Sequence, residues 1–166
     1  MMRRALFVTA LLVACNRTEP EPSPKPGASA AVSASVVTTP GVRFVSATGG
    51  ADFAAIVRSE ASHARGEGRD FLVYVGATWC EPCQRFHDAA KRGELDAIFP
   101  SLTLLEADAD ADRERLAAAG YGAEMIPLFA LPSAEGRGTP RRIEGSVKGD
   151  RAVANIAPRL RQLLAK

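Results

Sequence analysis

Phe71-Leu72-Val73-Tyr74-Val75-Gly76-Ala77-Thr78-Trp79-Cys80-Glu81-Pro82-Cys83 is the stretch that decides how this chain folds. Its first five residues are apolar or aromatic, which fits a strand buried on both faces. The polar and apolar residues that follow, 84–92, fit a helix. A Cys-x-x-Cys at a strand-to-helix junction puts its first sulfur at a helix N-terminus. Unpaired backbone N–H groups and the helix dipole favour a thiolate there. The thiolate is the species that attacks a disulfide. Cys83 follows within one helical turn, close enough to close a ring with Cys80. This is the equipment for thiol–disulfide exchange, with the cysteine pair itself as the only redox group and no further cofactor.

Cysteine arithmetic agrees. The chain has 166 residues and three cysteines. The third, Cys15, follows Arg3, Arg4 and the apolar run 5–14. Residues 1–14 read as a short secretory signal, too short to span a bilayer as a stable helix. Leu12-Val13-Ala14-Cys15 resembles the lipobox of bacterial lipoproteins, which implies cleavage before Cys15 and lipid on its sulfur. An ordinary signal peptide with an incidental Cys15 is the alternative. With Cys15 lipidated, no thiol remains for a structural disulfide or a four-cysteine zinc site, and no metal is expected. The implied location is a bacterial cell envelope, lipid-anchored and facing the periplasm, where disulfides persist.

Residues 15–40 follow as a linker, with Pro20, Pro22, Pro24, Pro26 and Pro40 among many Ala, Ser and Thr. Alternating proline favours an extended backbone and prevents a packed core. Residues 41–166 then make one domain of ordinary size. Setting aside Arg3, Arg4, Arg17, Lys25, Glu19 and Glu21, that domain carries 17 basic and 17 acidic residues. No basic stripe argues for nucleic acid. The acids Glu106, Asp108, Asp110, Asp112 and Glu114 lack the glycine and the final glutamate of a calcium loop, and read as a solvated strand end and helix start.

Within the domain, 42–45 alternates between glycines and reads as an edge strand. Asp52 is placed to cap a helix over 53–63. Strands are expected over 71–77, 102–105, 128–131 and 141–144, with a turn over 133–138. Helices are expected over 80–92, 94–99 and 112–119. A last helix, capped by Asp150, runs to 164 with a kink or break at Pro158. Alternation followed by a hairpin implies an α/β domain with a central mixed sheet and helices on both faces.

With these pieces in order, residues 42–166 resemble the thioredoxin family. The resemblance rests on Trp79-Cys80-Glu81-Pro82-Cys83 after a buried strand, Met125-Ile126-Pro127-Leu128 before the next-to-last strand, and Gly145 after the final strand. It implies a thioredoxin fold, a cis Pro127, and a Gly145 that leaves room for a substrate chain. Glu81-Pro82 is similar to the dipeptide of tethered reductases in cytochrome c maturation. The stretch 104–112 is closer to the C-terminal domain of a transmembrane thiol reductase. The chain also departs from the family. The buried acid six residues before the first cysteine is Tyr74 here, and the partner lysine on the next strand is Glu106. Leu128 replaces a threonine, and Asp88 stands where the helix proline is expected.

The resemblance implies that Cys80 is the nucleophile, exposed at the helix start, and Cys83 the more buried resolving thiol. Trp79, Ile126, Pro127 and Gly145 would form the substrate surface, with Ile126 offering backbone groups to an extended segment. For Trp79, simple core packing is the competing reading. Glu106 is a candidate proton acceptor for Cys83 or, equally, an exposed strand-end acid. His63 and His87 read as surface helix residues. The function expected is a membrane-tethered protein-disulfide reductase, acting as a monomer on disulfide-bearing proteins and recharged by an upstream thiol donor. The alternative is a copper-binding metallochaperone on the same fold, although such carriers space their cysteines by three residues rather than two.

Overall fold

The computed structural model describes residues 40–50 and 52–165. The expected signal at 1–14, Cys15 and the linker up to residue 39 lie outside the described residues. The elements run β1 (Gly41–Ser46), α1 (Phe53–Gly66), β2 (Asp70–Gly76), α2 (Glu81–Lys91), β3 (Ser101–Asp108), α3 (Arg113–Ala119), β4 (Leu128–Pro132), β5 (Gly138–Glu144) and α4 (Ala152–Leu164). The five strands form one sheet in the order β1-β3-β2-β4-β5. The β1–β3 and β2–β3 pairs are parallel. The β2–β4 and β4–β5 pairs are antiparallel. The fold is thus α/β with a mixed sheet, compatible with a thioredoxin-like fold.

Side chains alternate across a strand, and that parity builds two cores. Leu72, Tyr74, Leu102 and Leu104 face Phe86, Ala89, Ile156 and Leu160 of α2 and α4. Phe71, Val73, Val75, Leu105 and Ala107 face Phe53, Val57 and Leu116 of α1 and α3. Helices therefore cover both faces. The same parity puts Glu106 on the α2 face, two residues beyond Leu104.

Local chemistry sets the boundaries. Asp52 caps α1 by accepting from Ala55 N–H at 3.2 Å. Gly120, at φ +86°, ends α3 in the left-handed conformation that glycine adopts without a Cβ penalty. Three sequence expectations are corrected. The stretch 94–99 is a series of turns, tied by Phe99 N–H to Leu95 O at 2.8 Å. Between Gly93 and Pro100 there is too little chain to repay helix nucleation, and Pro100 disfavours helical backbone at Phe99. Asp150 does not cap α4; Arg151 holds that position without a side-chain cap. The Asp150 carboxylate instead meets Arg85 at 2.7 Å. Finally, α4 is not broken at Pro158 but runs through it. That proline is on the exposed side, while Ile156, Ala157 and Leu160 are buried. Their packing outweighs the one missing backbone donor.

Candidate active site

Parallel pairing with β3 fixes the end of β2, and the chain reaches Cys80 after a three-residue connection. Cys80 N–H donates to Ala77 O at 3.1 Å. Cys80 is the N-cap of α2, with extended backbone (φ −81°, ψ 103°). Its sulfur accepts from Cys83 N–H at 3.3 Å. The first sulfur therefore sits against the unpaired donors of the helix start, the setting that stabilises a thiolate. Pro82 lies in the first turn, where its missing N–H costs little.

The Cys80 and Cys83 sulfurs are bonded, with Cα atoms 5.2 Å apart. Cys80 is 4% exposed and Cys83 2%. Exposure of Cys80 was expected from the sequence. Its side chain is instead buried and bonded to Cys83. Glu81, between the cysteines, pairs with Arg85 and accepts from Gly149 N–H at 3.1 Å. The Arg85 guanidinium, then the Gly149 N–H, hold its carboxyl below the ordinary carboxylate range.

Beside Trp79, the residue before Cys80, is a cleft of about 470 Å³, which Trp79, Met125, Ile126 and Gly145 line. Its position follows from register. Leu128 pairs with Val75, which brings Pro127 beside the end of β2. The Ile126–Pro127 peptide bond is cis. Gly145 N–H donates to Pro127 O at 2.9 Å. A Cβ at Gly145 would lie 3.2 Å from Met125 Cβ, and its φ of +63° disfavours any other residue. Trp79 is 67% exposed, so it is not a core residue. Its indole N–H donates to Asp110 at 2.7 Å. That bond, then Arg113, hold the Asp110 carboxyl below its ordinary range.

A second cleft, of about 620 Å³, has Cys83, Tyr74, His87 and Glu106 among its lining residues. Tyr74 and Glu106 are register partners on β2 and β3. Burial, then the charge of Glu106, push the Tyr74 phenol far above its ordinary range. His87 Nε2 lies 2.8 Å from Glu106 Oε1, with the two side chains 19% and 34% exposed. The imidazole stacks on Phe44, ring centroids 3.9 Å apart and planes 18° apart.

His87 is the residue that the sequence reading set aside as surface. It stands four residues after Cys83, the spacing that puts two side chains on one helical face. His63 does fit that reading, exposed and 3.1 Å from Glu67. The acidic run is spent locally. Asp108 accepts from the N–H groups of Asp110 and Ala111. Asp112 accepts from Asp108 N–H and pairs with Arg115 at 2.9 Å. Among the described residues, no group of three or more His, Cys, Asp or Glu side chains is placed to hold a metal ion. No helix among them is long and apolar enough to cross a membrane.

Fold and site together define an α/β domain of thioredoxin-like architecture whose close Cys-x-x-Cys pair fits a thiol–disulfide redox role. No protein-family model matches the chain, and no curated protein matches it either.

Proposed function

We propose that this chain is an exported thiol–disulfide oxidoreductase that reduces protein disulfides. It is tethered by lipid on Cys15 at the periplasmic face of a bacterial envelope membrane. Its partners are disulfide-bearing proteins and an upstream thiol donor, and it acts as a monomer with no cofactor beyond its own cysteines. The observation that carries the reading is the Cys80 sulfur, seated on the α2 N-terminus and bonded to Cys83. The Cys80 thiolate attacks a substrate disulfide, forming a mixed disulfide and releasing one substrate thiolate. Cys83 loses its proton and attacks the Cys80 sulfur. The second substrate thiolate leaves and takes up a proton, and two electrons have passed from the cysteine pair to the substrate.

Insulin reduction with a recycling dithiol tests the activity. The parent turns over, Cys80→Ser abolishes turnover, and Cys83→Ser accumulates a mixed disulfide. Equilibration against glutathione should give a potential nearer ~−270 mV than ~−120 mV, because no histidine lies between the cysteines. A value above roughly −160 mV overturns the reductase reading. In the same preparations the parent partitions with membranes and Cys15→Ser does not. Soluble parent with an unmodified N-terminus overturns the tether.

A further inference from the structure

We propose that His87 and Glu106 form the proton-handling pair beneath Cys83. His87 takes the proton of the resolving thiol, and Glu106 is a positioning residue that holds the imidazole. The inference rests on the redox reading of the Cys80–Cys83 pair and names the groups that serve its second step.

That step needs a base. Cys83 attacks as a thiolate, and its side chain is buried at the foot of the cavity. Its proton must leave through a group that faces the same space. Tyr74 is there, but a phenol held above its ordinary range accepts no proton near neutrality. His87 and Glu106 are there and touch each other. Imidazole is the side-chain type that gains and loses a proton between about pH 5 and 8. Phe44 fixes the plane of the ring from β1, and Glu106 meets its Nε2 from β3. One helical turn separates His87 from Cys83, about 5–6 Å between Cβ atoms.

The charges around the ring are mixed. On α2, Asp88 and Lys91 share the cavity wall with His87, and β3 adds Asp108 beyond Glu106. From the α3 side come Asp112 and Arg115, which pair with each other. The competing reading is a histidine that only packs on Phe44. Packing accounts for the stack but gives no reason for a carboxylate at Nε2 facing a redox thiol.

The step balances. Cys83–SH and neutral His87 become Cys83 thiolate and protonated His87. The thiolate attacks Cys80 Sγ, the Cys80–substrate bond breaks, and the substrate thiolate leaves. His87 returns its proton to that thiolate or to solvent.

The full chain in a Cys15→Ser background leaves two thiols to observe. Reduced protein is mixed with one equivalent of dithiobis-nitrobenzoate, which releases a coloured thiol at each step. The first release reports attack by Cys80, and the second reports closure by Cys83. His87→Gln should slow the second release by ~10- to 100-fold and leave the first within ~2-fold. The pH dependence of the second rate should flatten. His87→Phe, which keeps a ring against Phe44, should behave alike, and added imidazole should restore the second release in both. Glu106→Gln should slow the second release by less. An unchanged second release and pH profile in His87→Gln overturns the proposal. So does equal slowing of both releases without rescue by imidazole, which makes His87 a packing residue. If the parent reduces insulin but His87→Gln closes normally, the pair fails and the reductase reading stands. If insulin is untouched while closure depends on His87, the reverse holds.

Discussion

The two flanks of the disulfide differ in kind. The flank beside Pro127 is an open cleft with an exposed Trp79 and Met125, shaped by backbone through a cis peptide and a glycine. The flank beneath Cys83 is also an open cleft, but on it Tyr74, His87 and Glu106 converge from three elements, among other polar residues. Backbone shape suits recognition of another chain, because main-chain hydrogen bonds are indifferent to sequence. Converging titratable groups suit proton transfer. Under the proposed redox role, one sulfur pair would divide two tasks, meeting the substrate on one side and disposing of its proton on the other.

The division is most easily broken at Gly145. In Gly145→Val the new side chain presses on Met125, 3.2 Å from its first carbon, at a φ of +63°. Insulin reduction should lose ~10- to 100-fold in kcat/KM, equivalent to about 1.4–2.7 kcal/mol. Both releases from dithiobis-nitrobenzoate should stay near the parent rates, since a small aromatic disulfide does not need the cleft. Equal losses on both substrates would mean that the two flanks are not separate.

A smaller effect sharpens the contrast through pH. Asp110 has a depressed carboxyl pKa in the folded chain, from Trp79 first and Arg113 second. A depressed carboxyl stabilises the fold fully above its unfolded value, ~3.9, and this is lost as pH falls through the folded value. Emission from Trp79, the single tryptophan, should therefore be flat across neutral pH and change only in acid below ~3.9. The closing step on the other flank should respond to His87 and not to Asp110. Trp79 emission that moves in the neutral range would show that Asp110 is not its partner in solution.

The smallest effect belongs to Tyr74. Its phenol stays protonated throughout the working range, so Tyr74→Phe should alter the second release by less than ~2-fold. A larger loss would give Tyr74 a part in the proton path.

Much of this arrangement was legible in the sequence because it follows from periodicity and turn chemistry. The order of nine elements, the mixed sheet and the Cys80 helix start come from an apolar run, a proline in the first turn and glycines at element ends. What escaped was decided by tertiary contacts. Asp150 is a good cap by residue type, but Arg85, distant in the chain, claims its carboxylate. Residues 94–99 carry helical residue types, but the span between Gly93 and Pro100 leaves no room. Glu106 could be assigned to a face only once β3 was in register with β2, since Leu102, Leu104 and Glu106 share one parity. His87 combined two clues that each meant little alone, a four-residue step from Cys83 and a carboxylate on a strand whose place was unknown. A helix N-terminus after a strand suggests an exposed Cys80, but neighbouring elements bury it to 4%.

Glu81 occupies the first of the two variable positions between the cysteines, yet it is fastened at both ends. Arg85 holds it within α2, and Gly149 holds it from the segment that joins β5 to α4. That segment begins at Gly145, so the dipeptide and the far rim of the cleft are stitched together. Exchanging Glu81-Pro82 for the dipeptide of a thiol–disulfide oxidoreductase would be expected to turn a single dial, the potential. In this chain the same exchange should also unpick a seam, so that under the proposed role the affinity for a protein substrate would move with the potential.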